Sequence, residues 1–120
     1  MWNAVRDETI AELKKHTCTR HLIITGISLG GGLASLSYVD IEKTGMFDQI
    51  EVITFGSPRV GNEKWANWFN SKVLSRRYYI KNDPIAALPM CLTKLICNYK
   101  QVGLPIRCDK KIEVCENRPI

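Results

Sequence analysis

Residues 22–33 read LIITGISLGGGL, and this stretch decides the fold. Leu22 to Thr25 are apolar or β-branched, which is typical of a short buried strand. The pentapeptide GISLG follows at 26–30, and an Ala/Leu/Ser-rich helical run comes next. A G-x-S-x-G motif between a strand and a helix is the pattern of a nucleophile elbow, which presents a serine hydroxyl at the top of a sheet. The stretch therefore predicts Ser28 as a nucleophile.

Each neighbour of Ser28 has an expected physical role. We expect that only glycine fits at Gly26 and Gly30, where the strand and helix backbones pass close to the turn. The helix that begins at Leu29 supplies unpaired N–H groups and a partial positive charge, so the Leu29 N–H is a candidate oxyanion donor. A Gly-rich turn before a helix also suits phosphate. The chain has no G-K-[ST] and no G-x-G-x-x-G, so nucleotide binding is less favoured.

Composition limits the classes of protein. A chain of 120 residues forms one domain at most. Its net charge is +5, and its Lys and Arg residues are scattered along the sequence. This pattern favours a solvated surface over nucleic-acid binding, and attraction to an anionic lipid surface stays open. No apolar run reaches the length of a membrane span. We expect no cofactor and no metal, since the five cysteines include no C-x-x-C pair.

The cysteines bear on the compartment. Cys91, Cys97, Cys108 and Cys115 lie within 25 residues, whereas Cys18 stands apart. Such clustering predicts at least one disulfide among the four, and hence secretion into an oxidising compartment. The N-terminus shows no signal peptide, which argues the other way.

Alternating helical and strand patterns predict an α/β fold. The β-branched segments are separated by amphipathic ones, which implies right-handed crossovers, a parallel sheet and helices on its faces. Asn62 is a good N-cap for the third helix. Residues 41–49 read as a polar connection, and 102–106 with 111–115 as a hairpin around Asp109-Lys110. The other predicted elements are a helix over 2–16, a strand over 21–25, a helix over 29–40, a strand over 50–55, a helix after Asn62 and a strand over 75–80.

Asp83 is the candidate acid of a catalytic triad. It follows the third predicted strand, at the sheet edge where functional loops of parallel sheets gather. The order Ser then Asp fits an α/β-hydrolase, in which the histidine comes last. Asp before Pro is also a common turn residue, and that reading stays open. His16 and His21 both precede Ser28 and are expected at the opposite edge, on the surface. No histidine follows Asp83, so the triad has no base within this chain.

Three blocks of the sequence resemble the class 3 (fungal-type) lipases of the α/β-hydrolase superfamily. They are ITGISLGGGLA (24–34), TFGSPRVGN (54–62) and YYIKNDPIAALP (78–89). The resemblance implies Ser28 as nucleophile, Asp83 as acid and the Leu29 N–H as one oxyanion donor. Family members usually carry His at the position of Ile27 and often a non-catalytic His at that of Gln101. Their catalytic His lies beyond the end of this chain.

Residues 1–120 are therefore expected to form a partial α/β-hydrolase domain. The domain is expected to lack the N-terminal strands, the lid and the C-terminal His segment of such lipases. Three explanations stay open: a truncated gene model, a degenerate copy and a piece of a longer protein. The resemblance implies hydrolysis of acylglycerol esters at a lipid–water interface through an acyl-serine intermediate. Phospholipase A1 or feruloyl esterase chemistry stays open, as does an inactive relic that binds lipid or a protein partner. The isolated chain is expected to be nearly inactive.

Overall fold

The computed structural model describes residues 1–16, 19–89 and 98–108, together with the backbone of 115–117. Helices and strands alternate along the first two thirds of the chain, as the sequence predicts. In chain order the elements are α1 (Trp2–Lys14), β1 (His21–Ile27), α2 (Leu29–Lys43), β2 (Gln49–Phe55), β3 (Gly61–Asn62), α3 (Glu63–Lys72), β4 (Leu74–Tyr79), β5 (Tyr99–Lys100), β6 (Leu104–Cys108) and β7 (Cys115–Asn117).

The main sheet has five described strands in the order β1-β2-β4-β6-β7. Strands β1, β2, β4 and β6 pair in parallel, and β7 pairs antiparallel with β6. The short strands β3 and β5 form a separate antiparallel pair. The predicted α/β class with a parallel sheet is confirmed. Strand β6 is the fourth parallel strand; the sequence predicted a strand in this region only as half of a hairpin, and not its parallel pairing with β4.

Several predicted boundaries were wrong. Helix α2 continues to Lys43 and strand β2 begins at Gln49, so the polar connection is shorter than the predicted 41–49. The helix continues because Ile41 is buried, and the gain from burial outweighs a polar sequence. Strands β6 and β7 form the predicted antiparallel pair, but β6 begins at Leu104 and not at residue 102. Residues 109–114, including the predicted turn, lie outside the described part of the chain.

The core lies on one face of the sheet, beneath α2 and α3. Val52 of β2 and Phe69 of α3 are fully buried there. The Phe69 ring meets Tyr38 of α2 edge-on, with ring centroids 5.8 Å apart, and lies 5.1 Å from the ring of Trp65. Helix α3 begins where expected, because the Asn62 side chain accepts a hydrogen bond of 2.9 Å from the Trp65 N–H.

The opposite face of the sheet is open and carries both apolar and charged side chains, among them Arg76 and Glu51, whose Nη1 and Oε1 atoms lie 2.9 Å apart. Side chains of directly paired residues share a face, so alternate residues of β1, β2, β4 and β6 line it. Its exposed apolar side chains are Ile23, Ile27, Phe55, Leu74 and Leu104. Helix α1 lies against α2, where Trp2 Nε1 donates to Asp40 Oδ2 at 2.7 Å. No residue of α1 is buried, so its predicted apolar stripe covers little.

Two features bear on the chain's surroundings. Among the described residues, no helix combines the length and the apolar character needed to cross a bilayer. Cys108 at the end of β6 is disulfide-bonded. It is the one cysteine whose side chain is described, because Cys18, Cys91 and Cys97 and the side chain of Cys115 lie outside the described part. The pairing therefore stays a prediction.

We expect protein made in an oxidising host to contain at least one disulfide within the set Cys91, Cys97, Cys108 and Cys115. Clustered cysteines after the third predicted strand motivate this expectation. Peptide mapping of non-reduced protein by mass spectrometry would identify the pair. Detection of five free thiols would contradict the prediction.

The open sheet face should make the isolated chain associate. Ile23 is 52% exposed on strand β1, which forms an edge of the described sheet. Exposed apolar edge strands pair with other chains, and a lysine on the strand opposes this. We expect Ile23→Lys to raise the monomer fraction in size-exclusion chromatography. Leu36→Lys, on the exposed side of α2, is the matched control and should leave that fraction unchanged. An equal effect of both would contradict a role for the strand.

Candidate active site

Ser28 lies in the sharp turn between β1 and α2. Its backbone angles are φ 54° and ψ −127°, a conformation that L-residues rarely adopt and that stores strain. The Ser28 N–H donates to the Phe55 carbonyl at 2.9 Å, and the Ser28 carbonyl accepts from the Gly31 N–H at 2.9 Å. One bond ties the turn to β2 and the other to the first turn of α2. The backbone is therefore held in its strained form from both sides.

Close backbone approach explains part of the glycine pattern. A Cβ at Gly26 would lie 2.1 Å from the carbonyl oxygen of Gly30, which no real structure tolerates. A Cβ at Gly31 would lie 2.8 Å from Ser57 Cβ, and one at Gly32 would lie 2.9 Å from Val60 Cγ1. Beside Gly30 the space is open. The steric expectation therefore holds for Gly26 and was wrong for Gly30, whose contribution is its backbone carbonyl.

Leu29 is the first residue of α2, as expected. Its N–H belongs to the first helical turn. The N–H groups of that turn have no carbonyl acceptor within the helix. The partial positive charge of the helix N-terminus is concentrated on such groups. The Leu29 N–H is thus chemically suited to a negative oxygen beside Ser28.

Asp83 follows β4 in a tightly fixed turn. The preceding Asn82 has φ 67°, and the Asp83 Oδ1 accepts a hydrogen bond of 2.9 Å from the Ile85 N–H. The other carboxylate oxygen packs against Gly56, where a Cβ would lie 2.8 Å from Asp83 Oδ2. Gly56 has φ 56° and follows β2. Asp83 is therefore oriented by its own turn and held over the carboxyl end of the neighbouring strand.

Ser28 and Asp83 line one cavity of about 310 Å³ at the carboxyl ends of the parallel strands. The other lining residues are mostly apolar or aromatic. They are Ile27, Phe55, Gly56, Tyr78, Tyr79, Ile80, Ile85 and Cys108. The rings of Phe55 and Tyr78 stack with centroids 5.2 Å apart and form part of its wall. The arrangement offers a hydroxyl and a carboxylate in an apolar setting, which suits an apolar substrate with one reactive polar group.

Neither histidine of the chain belongs to this cavity. His21 begins β1, six residues before its last residue Ile27, and so stands about 20 Å from the carboxyl end. Its exposed ring lies 4.0 Å from Glu51. His16 follows α1 and lies 3.3 Å from Glu12 on the surface. Both positions agree with the expectation for surface histidines at the opposite edge.

Sequence reasoning missed two residues that join the loops of the site. Ser57 is buried beside Gly31, directly after the glycine that Asp83 packs against. The Gln101 side-chain amide donates to the carbonyls of Ser57, at 3.1 Å, and Ala86, at 2.6 Å. Gln101 thereby links the loop after β2 to the loop that contains Asp83. The TFGSPRVGN block contains Ser57 without singling it out, and the resemblance marked Gln101 only as a position where family members often carry a non-catalytic His.

The comparisons with known proteins give the family. The fold is a partial α/β-hydrolase fold. It has a parallel sheet, a strained serine between the first described strand and a helix, and an aspartate after a later strand. The family model for lipase (class 3) matches residues 1–93. The chain belongs to the class 3 lipase family.

Individual relatives agree with this assignment. Secreted mono- and diacylglycerol lipase A of Penicillium cyclopium is 33% identical over 92 residues, which cover 74% of this chain and 30% of that protein. Phospholipase A1-II 5 of Oryza sativa subsp. indica is 29% identical over 118 residues, which cover 92% of this chain and 24% of that protein. A crystal structure of an MDLA mutant from Penicillium cyclopium superimposes with a TM-score of 0.77 at 30% identity. The superposition covers 88% of this chain and 38% of the other. The chain thus spans less than a third of the length of these two curated relatives and 38% of the solved one.

The two glycines of the motif provide a matched test of the turn. We expect Gly26→Ala to lower the free energy of unfolding by at least about 4 kcal/mol, because its Cβ collides with backbone. Gly30→Ala should be neutral or stabilise by up to about 1 kcal/mol, since the space is open and alanine favours the helix. Urea unfolding followed by circular dichroism would measure both. Equal losses would contradict the assignment of the steric constraint to Gly26.

Proposed function

We propose that this chain carries the nucleophile and the acid of a serine lipase or esterase that hydrolyses acylglycerol esters. Ser28 is the nucleophile, and Asp83 orients the base. The single observation that carries the proposal is the shared cavity: Ser28 in a strained turn and Asp83 in a fixed turn both line it. Family membership and the mono- and diacylglycerol lipase relatives support the substrate class.

The proposed reaction passes through an acyl-serine. The Ser28 Oγ attacks the ester carbonyl carbon and gives its proton to a base. This attack forms a tetrahedral intermediate. The Leu29 N–H donates to the negative oxygen of that intermediate. The carbonyl re-forms, the alcohol leaves with the proton from the base, and Ser28 retains the acyl group. Water then attacks the acyl carbon by the same route and releases the fatty acid.

The base has to come from outside these 120 residues. Both histidines of the chain lie away from the cavity, and among the described residues its lining includes no other side chain that titrates near neutral pH. A histidine between Asp83 and Ser28 would complete the triad. We therefore propose that the chain is an incomplete catalytic unit, and that an active form contains the downstream histidine segment and an upstream second oxyanion donor.

Secretion belongs to the same proposal. Relatives of this chain bear names that describe them as secreted lipases, and Cys108 is disulfide-bonded. Disulfides persist in oxidising compartments. An extracellular lipase would meet its substrate at a lipid–water interface.

Ester turnover by purified protein tests the proposal. The 120-residue chain should hydrolyse p-nitrophenyl esters at least about 10³-fold more slowly than a complete esterase, because a base and an oxyanion donor are missing. A version extended through the downstream histidine and the upstream strands should gain activity that Ser28→Ala abolishes. Ser71→Ala, an exposed hydroxyl on α3, is the matched control and should keep that activity.

Two outcomes would overturn parts of this proposal. A Ser28-dependent rate of the short chain near 10 s⁻¹, about the median for enzymes, would show that a base is already present. An extended version that binds lipid but stays inactive would favour the non-catalytic relic.

A further inference from the structure

Gln101 stands on a piece of backbone that is anchored on both sides. The strand β5 comes directly before it and pairs with β3. Val102 comes directly after it and is buried in the core. One residue further, the Gly103 N–H donates to Asn70 Oδ1 of α3 at 2.8 Å. The backbone that carries Gln101 is therefore fixed to β3, to the core and to α3.

The side chain of Gln101 joins two loops. Its Nε2 donates at 3.1 Å to the Ser57 carbonyl, in the loop after β2, and at 2.6 Å to the Ala86 carbonyl, in the loop after β4. A side-chain NH2 group has two hydrogens, so one amide serves both acceptors, whereas an ionised carboxylate or a thioether has no hydrogen to donate. We call this pair of hydrogen bonds the amide tie.

The Ser57 end of the amide tie is fixed beside the proposed nucleophile. Ser57 is buried, and it lies so close to α2 that a Cβ at Gly31 would stand 2.8 Å from the Ser57 Cβ. The Gly31 N–H in turn donates to the Ser28 carbonyl at 2.9 Å. The loop after β2 therefore provides a fixed reference point beside the turn that carries Ser28.

The Ala86 end of the amide tie belongs to the loop that carries Asp83. Within this loop the Ile85 N–H donates to Asp83 Oδ1 at 2.9 Å, and the Leu88 N–H donates to the Ile85 carbonyl at 3.0 Å. These internal bonds set the shape of the loop but not its distance from the loop after β2. The amide tie acts on that distance, as does a hydrogen bond of 2.8 Å from the Arg59 N–H to the Leu88 carbonyl. Of the two, the amide tie meets the loop nearer to Asp83.

We propose that Gln101 is a positioning residue for Asp83, because the amide tie holds the acid where it can orient a base beside Ser28. This inference rests on the proposed function, in which Asp83 has that role. Gln101 is not among the described lining residues of the Ser28 cavity, so it acts through Asp83 and not on the substrate. Displacement of a catalytic group by about 1 Å can cost about 10²-fold in rate.

Amide hydrogen exchange of the 120-residue chain, followed by NMR, tests the amide tie without any need for hydrolysis. Gln101→Met keeps the length of the side chain but has no donor. It should accelerate exchange of the Ile85 N–H, which bonds to Asp83, about tenfold or more, since two hydrogen bonds are lost. Circular dichroism checks that the variant is folded. Gln101→Asn, whose amide is one methylene shorter, decides if Gln101→Met does not fold.

The matched control is Asn70→Ala, which removes a hydrogen bond from the same segment but not from the Asp83 loop. Both variants should accelerate exchange of the buried Val52 N–H, because that exchange requires unfolding of the core. Only the Gln101 variant should accelerate exchange at Ile85, since opening of the Asp83 loop does not break the bond to Asn70. Equal acceleration at Ile85 by both variants, or none by either, would overturn the inference.

Ester turnover by the extended version tests the consequence for catalysis. Gln101→Met should lower kcat about tenfold or more and leave KM within about twofold, because the acid acts in the transition state and not in substrate binding. Asn70→Ala should leave both constants unchanged. An unchanged kcat in Gln101→Met would contradict a positioning role even if exchange at Ile85 is faster. If the extended version shows no turnover that depends on Ser28, the proposed function fails, and the exchange comparison alone decides whether Gln101 positions Asp83.

Discussion

The contact of the β1 backbone with the first turn of α2 is the constraint on which the rest of this structure depends. At Gly26 the two segments are so close that a single added carbon would overlap the Gly30 carbonyl. This approach forces the chain to reverse within two residues, which gives Ser28 its positive φ. It also lays α2 across the face of the sheet that becomes the core. The hydrogen bond from the Ser28 N–H to Phe55 then fixes β2 beside the turn.

Local patterns predicted those parts of the molecule that neighbouring residues determine. The turn at Ser28, the cap at Asn62 and the aspartate after β4 each follow from a few adjacent residues. Contacts between distant segments could not be predicted in this way. Gly31 needs to be small because of Ser57, which lies 26 positions later, and Gln101 reaches Ser57 from 44 positions away. The motif indicated that two backbones meet, but not that, of its two glycines, Gly26 lacks room for a side chain and Gly30 does not.

The two faces of the sheet differ in how they are stabilised. One buries Val52 against Phe69 under the helices, whereas the other leaves Ile23 and Ile27 exposed, the latter to 73%. A parallel sheet is ordinarily covered on both faces, so the exposed apolar side chains of the second face favour a cover there. The structural relative aligns over only 38% of its own length, and the proposed base also has to be supplied from elsewhere. One extension of the chain could therefore meet both a structural and a chemical requirement.

Several unfavourable features of the described structure lie at or near the carboxyl ends of the strands. Ser28 holds a strained backbone there, Asn82 adopts a positive φ, and Arg77 keeps a buried charge with an unused donor. Each costs free energy, and the packed core around Phe69 on the same sheet offsets that cost. Proteins retain such local violations chiefly where function needs them. Tyr79, Ile80 and Asp83 border the Ser28 cavity and also a second cavity of about 440 Å³, so the segment that positions the proposed acid forms the wall between the two.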